Sequence, residues 1–160
     1  MDLKLPFDTT VIQRILPHRY PFLLVDRITE FELDTRIVGI KNISRNETYL
    51  WREPGSEPTI PFTILTEAVA QVGAIMVLAK PENRDKLIFF MGIDKVRYRH
   101  PAKAGDQVGI VATIKRLRSR MGTLYGEARV NGRLCCSGTM TFALGKQNGT
   151  APTAGPIPAS

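Results

Sequence analysis

Pro61-Phe-Thr-Ile-Leu-Thr-Glu-Ala-Val-Ala-Gln71 opens the longest apolar stretch of the chain and decides its fold. Pro61 suits the first turn of a helix, where a missing N–H costs nothing. Ile64, Leu65, Ala68, Val69, Val72, Ile75, Met76 and Leu78 follow at core-type helical spacing, with few polar residues between them. The pattern predicts a helix enclosed by protein on most sides, running to about Leu78, before Pro81 and Glu82-Asn-Arg-Asp85 break it. Glu67 is the one carboxylate in this pattern. A buried acid costs several kcal/mol unless it is paired or hydrogen-bonded. Glu67 is therefore the leading candidate for an active-site residue, the alternative being a carboxylate that reaches solvent at the helix edge and bonds to Thr63 or Gln71 one turn away.

Outward from this helix the chain is rich in strands. Asp8 to Leu16 reads as a short helix capped by Asp8 or Thr9 and closed by Pro17. A chain reversal follows at His18-Arg-Tyr-Pro21, then two strands, Phe22 to Phe31 and Thr35 to Ser44, joined by a polar turn. Arg45 to Pro61, with three prolines and a Pro-Gly pair, is a loop that feeds the helix. Beyond the helix, Lys86 to Arg99, Asp106 to Leu117, Thr123 to Val130 and Arg133 to Leu144 read as strands, the last two joined by Asn131-Gly132, a strong hairpin signal. Strands bracket one central helix with no βαβ alternation. The expected architecture is α+β, an antiparallel β-sheet wrapped around a long apolar helix, a fold of the hot-dog kind. Residues 1–145 form a single domain on this reading, and 146–160, rich in Gly, Pro, Ala, Ser and Thr, a flexible C-terminal tail.

Composition agrees with one globular domain: 160 residues, 43% hydrophobic and 23% charged. No apolar run approaches 18 residues and the amino terminus lacks a basic region followed by an apolar one, so neither a membrane span nor a secretory signal is expected, and the cytoplasm is the default location. Cys135 and Cys136 are adjacent, so on a strand they point to opposite faces, one buried and one exposed, and form neither a useful disulfide nor a metal site. The net charge of +7, crowded at Lys115 to Arg120 and at Lys95, Arg97, Arg99 and Lys103, attracts acidic partners. Nucleic acid is not expected, because few aromatic residues interleave with these charges and no binding motif is present.

Three separated segments carry a resemblance. Leu16-Pro-His-Arg-Tyr-Pro-Phe-Leu-Leu-Val-Asp-Arg27, Pro61 with Leu65-Thr-Glu-Ala-Val-Ala-Gln71, and Met91-Gly-Ile-Asp-Lys-Val-Arg-Tyr-Arg-His-Pro101 with Gly105-Asp-Gln107 resemble, in order and spacing, the FabZ-type 3-hydroxyacyl-acyl carrier protein dehydratases. The resemblance implies a hot-dog fold with active sites at a dimer interface, assembled as a homodimer or a hexamer. It further implies removal of water from 3-hydroxyacyl thioesters carried by acyl carrier protein, or by coenzyme A, in fatty-acid or related acyl-chain biosynthesis without metal or redox cofactor.

Such an elimination needs a base for the proton beside the thioester carbonyl, an acid for the departing hydroxyl, and donors for the enolate-like oxygen. In the family a His and a Glu from opposing subunits divide the proton transfers, and the Glu corresponds to Glu67. The His does not carry over: alignment on Pro54-Gly55 puts Arg52 in its place, and counting back from Glu67 reaches Glu53. Arginine cannot act as a base, but Arg52 suits a phosphate or the acidic surface of the carrier. Glu53 and Glu67 would make a two-carboxylate site, in which nearby acids share a proton. Phe62 replaces the family's Gly where backbone approaches the carbonyl. The implied substrate contacts are Arg52, Phe62, Thr63, Gln71, Phe90, Met91 and Gly92; Phe89, Phe90 and Met91 line an acyl tunnel or belong to the ordinary core. His18 and His100 read as structural or exposed. Two other readings stay open: a silent acyl-binding subunit completed by an active paralogue, and a hot-dog thioesterase in which Glu67 activates water.

Overall fold

A computed structural model describes residues 4–118 and 120–146. Asp8 caps the first helix, α1 (Thr9–Ile15), by accepting a hydrogen bond from the Val11 N–H at 3.0 Å. Two strands, β1 (Arg27–Glu32) and β2 (Arg36–Asn42), form the first hairpin. A two-residue strand, β3 (Thr59–Ile60), leads into the long helix α2 (Phe62–Leu78). Beyond it lie β4 (Lys86–Tyr98), the short β5 (Ala102–Lys103) that pairs with β3, then β6 (Gln107–Arg118), β7 (Met121–Val130) and β8 (Arg133–Lys146). Asn131 and Gly132, with φ of 49° and 79°, make the tight turn from β7 to β8 that their residue types favour.

The main sheet has six strands in the order β1-β2-β6-β7-β8-β4, every neighbouring pair antiparallel. It wraps α2, which contacts β2, β4, β6, β7 and β8. Every residue from Ala68 to Leu78 is buried. Helix and sheet approach closely because each supplies a gap to the other. A Cβ on Gly126 of β7 would lie 2.2 Å from Val69 Cγ1, and a Cβ on Gly73 of α2 would lie 2.6 Å from Leu124 Cδ2. The predicted architecture and central helix are therefore found.

Three local expectations differ. Phe22 to Val25 is not a strand: the Leu24 N–H and the Phe22 carbonyl bond to the side chain of Gln71 instead of to a neighbouring strand. Both cysteines are buried, Cys135 fully and Cys136 nearly so, because a bulge beside Ala128 and Arg129 leaves Cys135 as an extra residue and breaks the alternation. The last strand takes in Lys146, whose backbone pairs with Lys86, one residue past the expected domain limit; the rest of the predicted tail lies outside the described residues.

The two sheet edges are unlike. At β1 the edge is covered by Phe7, which exchanges two 3.0 Å backbone hydrogen bonds with Ile28. At β4, which pairs only with β8 among the described residues, Phe89, Met91, Ile93, Val96 and Tyr98 are exposed apolar residues. Register shifts between Phe90 and Gly92 and between Asp94 and Arg97 bend this strand.

Candidate active site

Glu67 stands in the second turn of α2, before the fully buried part of the helix begins. Its side chain is 29% exposed, so the enclosed acid expected from the apolar pattern is half-open. The pattern missed this because α2 leaves the sheet at its N-terminal end, where Thr63 is exposed. Glu67 Oε1 accepts a hydrogen bond from Gln71 Nε2 at 3.0 Å, and His18 Nε2 lies 3.6 Å from the same oxygen. Oε2 makes no hydrogen bond among the described residues. The bond to Gln71 matches the helix-edge alternative drawn from the sequence.

Gln71 is the structural hub. It is 1% exposed, accepts from the Leu24 N–H at 2.9 Å through Oε1, and donates to the Phe22 carbonyl at 2.8 Å as well as to Glu67. Its amide thus ties the strandless segment 22–24 to α2.

Glu67 forms one wall of a cleft of about 240 Å³ lined also by Thr63, Thr66, Ala70, Phe90, Ile93 and Tyr98. Apart from two hydroxyl-bearing threonines, the Tyr98 hydroxyl and this carboxylate, the lining is apolar. Phe62 does not line the cleft, but its ring stacks on Tyr98, which does, at a centroid distance of 5.0 Å and an interplanar angle of 20°. Thr66 Oγ1 donates to the Phe62 carbonyl at 2.9 Å and lies 3.4 Å from the Tyr98 hydroxyl. Behind Thr66, burial pushes the Cys136 thiol up to about 11, opposed by a bond with the Thr66 hydroxyl, so it remains protonated and is no nucleophile.

Beside Glu67, the His18 imidazole packs 5.9 Å from the Phe22 ring. Burial holds it below the usual histidine range; Glu67 opposes that shift and Arg19 adds to it. Its Nδ1 is buried without a hydrogen-bond partner among the described residues.

Of the residues singled out from sequence, Glu67, Thr63 and Phe90 line this cleft, Phe62 stacks on its Tyr98, and Gln71 lies behind Glu67. Met91 is the extra residue of the β4 bulge and is 66% exposed, and neither it nor Gly92 lines the cleft. Phe89 lies over Gly145, away from the helix side. Arg52 and Glu53 are on an exposed turn and do not line the cleft of their own chain. Sequence reasoning missed Thr66, Ala70, Ile93, Tyr98 and the approach of His18. Thr66 and Ala70 were available from helical spacing about Glu67; Ile93 and Tyr98 were hidden by the bulges. Among the described residues no group of three His, Cys, Asp or Glu side chains is placed to hold a metal ion. No helix among them is long and apolar enough to cross a membrane.

Comparison with known proteins bears on the family and the fold. The FabA-like domain family matches residues 16–139. The 3-hydroxyacyl-[acyl-carrier-protein] dehydratase FabZ of Bacillus subtilis is 46% identical over 139 residues, covering 87% of this chain and 99% of the relative. The protein of the same name from Thermomicrobium roseum is 47% identical over 133 residues, 83% of this chain and 89% of the relative. Among solved structures, the dehydratase heterocomplex ApeI:P from Xenorhabdus doucetiae matches with a TM-score of 0.74 at 20% identity, over 91% of this chain and 94% of that one, a likeness of fold.

Proposed function

Because this chain belongs to the FabA-like domain family and to its FabZ dehydratase branch, we propose that it converts 3-hydroxyacyl thioesters on acyl carrier protein to enoyl thioesters and water, with Glu67 handling the proton. The observation that carries this reading is the half-buried carboxylate with Oε1 tied to Gln71 and Oε2 without a partner among the described residues, on the wall of an apolar cleft.

The proton inventory closes on one carboxylate. Ionised Glu67 takes the proton from the carbon beside the thioester carbonyl, leaving an enolate-like electron pair. That pair forms the new C=C bond as the C–O bond to the 3-hydroxyl breaks, and the departing oxygen takes the proton back from the Glu67 carboxyl and leaves as water. Glu67 returns ionised.

Among the described residues, the lining of the cleft in a single chain holds no second acid or base beside Glu67. Glu53 of a second copy is the second carboxylate on this reading, and Arg52 beside it meets the phosphate or acidic surface of the carrier. Support for a second copy comes from β4, whose exposed edge carries Met91, Val96 and Tyr98 and needs cover. The assembly is a homodimer or a trimer of such dimers, and the carrier-bound substrate favours the cytoplasm.

The test is to give the purified protein a short 3-hydroxyacyl thioester on acyl carrier protein and follow the products by mass spectrometry, beside Glu67→Gln. Enoyl product that is lost in the variant supports the reading. Free acid would make the protein a thioesterase, and retained acyl binding with neither product would make it a silent subunit completed by a paralogue.

A further inference from the structure

The His18 side chain offers two nitrogens in opposite circumstances. Nε2 lies 3.6 Å from Glu67 Oε1, whereas Nδ1 is buried with no hydrogen-bond partner among the described residues. These circumstances select one tautomer. A proton on Nδ1 would bury an N–H without an acceptor and turn the bare Nε2 lone pair toward the carboxylate. A proton on Nε2 alone places a donor before Oε1 and leaves no buried N–H unpaired. The imidazolium would keep the donor but again bury an unpaired Nδ1–H, and it would stand beside the Arg19 guanidinium. The charged groups acting on the ring are Glu67 from α2 and Arg19 from its own segment.

The segment carrying His18 is also built for a fixed position. Arg19 Nη1 donates to the Leu16 and His18 carbonyls at 2.9 and 2.7 Å. A few residues on, Phe22 and Leu24 are clamped by Gln71, the side chain that already donates to Glu67. His18, Gln71 and Glu67 therefore share one support. We infer that His18 is a positioning residue for Glu67: its neutral imidazole directs Nε2–H at Oε1, so that two donors of the same chain hold that oxygen and turn Oε2 to the substrate. The 3.6 Å separation needs to shorten by about 0.5 Å to become a hydrogen bond, a tightening common when a substrate closes a site. The resemblance divides proton handling between subunits; here the support of the carboxylate comes from within one chain. The kinetic part of this inference rests on the dehydratase reading, and the spectroscopic part does not.

The chain has two histidines, so a ¹⁵N imidazole spectrum, with His100→Asn to assign the remaining signals, isolates His18. The Nε2–H tautomer is expected, titrating below a free histidine, and Glu67→Gln is expected to lower that titration further, because the carboxylate that raises it is gone. An Nδ1–H tautomer, or a titration indifferent to Glu67→Gln, overturns the inference whether or not the protein turns over substrate. In the dehydration assay, His18→Phe keeps a ring against Phe22 and removes the donor. kcat should then fall about tenfold, with KM changed less than about twofold. His18→Gln, whose amide N–H reaches the same place, should restore most of kcat. A rise in KM with kcat unmoved, or no advantage of Gln over Phe, overturns it equally. Failure of the wild-type protein to form enoyl product would instead count against the dehydratase reading, leaving the tautomer and its response to Glu67→Gln to decide the role of His18.

Discussion

Replacing Gln71 by Leu should cost far more than the loss of one polar side chain in a helix. Gln71 is 1% exposed and makes three hydrogen bonds, of which two hold backbone groups of the segment 22–24. Leucine fills nearly the same volume, so little cavity term arises. The Leu24 N–H, buried and bonded only to Gln71 among the described residues, is left without that partner, at a cost of about 1–3 kcal/mol. The Phe22 carbonyl is partly buried and can turn toward water, which limits its loss to about 1 kcal/mol. The bond to the half-exposed Glu67 adds little to stability after solvent screening. The sum is about 2–4 kcal/mol. With a urea slope of about 2 kcal/mol/M for a domain of this size, the unfolding midpoint should fall by about 1–2 M with the slope unchanged. Dehydration by the folded variant should fall too, since Glu67 loses its 3.0 Å donor. A stability loss below about 1 kcal/mol at unchanged slope would show that the segment finds other partners and that Gln71 is no hub.

Phe62→Gly removes the ring stacked on Tyr98 and should change acyl thioester affinity or rate severalfold, at about 1–2 kcal/mol of stability for the lost stack and the flexible residue; equal KM, kcat and acyl binding would refute any influence of that ring on the cleft through Tyr98. Gly126→Ala sets a methyl group 2.2 Å from Val69 Cγ1 and should destabilise by about 1–3 kcal/mol. Adding Val69→Ala should recover part of that loss, and strictly additive effects would contradict the contact. Met91→Lys with Val96→Lys charges the exposed β4 edge and should shift sedimentation toward a single chain; an unchanged mass would place the oligomer contact elsewhere or show that there is none.

The central helix and its carboxylate were legible because they depend on spacing within one segment. Apolar residues recur at helical intervals from Ile64 to Leu78, Pro61 marks the entry, and Glu67 breaks the pattern. The β7–β8 hairpin was legible through Asn131-Gly132, where two positive φ values suit those residue types. What escaped depends on distant partners. Phe22 to Val25 has strand composition, yet its backbone is satisfied by a side chain 47 positions away, and nothing local signals that Gln71 will fold back on it. Strand alternation places residues only where the ladder is regular, so the bulges that reorient Met91 and bury both Cys135 and Cys136 defeat it. His18 reads as structural by its segment; its approach to Glu67 exists only once α2 and the segment 18–24 are joined.

The reciprocal gaps at Gly73 and Gly126 bear on more than packing. A helix lying on a smooth sheet can slide along its axis or roll at small cost, and a carboxylate mounted on it would wander with it. Here Val69 projects into the space above Gly126 while Leu124 projects into the space above Gly73. The two engagements run in opposite senses, one knob from the helix and one from the sheet, so an axial shift or a roll that relieves one drives the other into collision. They act as a mechanical detent. Its effect is felt half a turn away, where Glu67 is held at one height above the strands without a bond from the sheet to the carboxylate itself. The carboxylate can therefore stay half-open to solvent and still occupy a defined place.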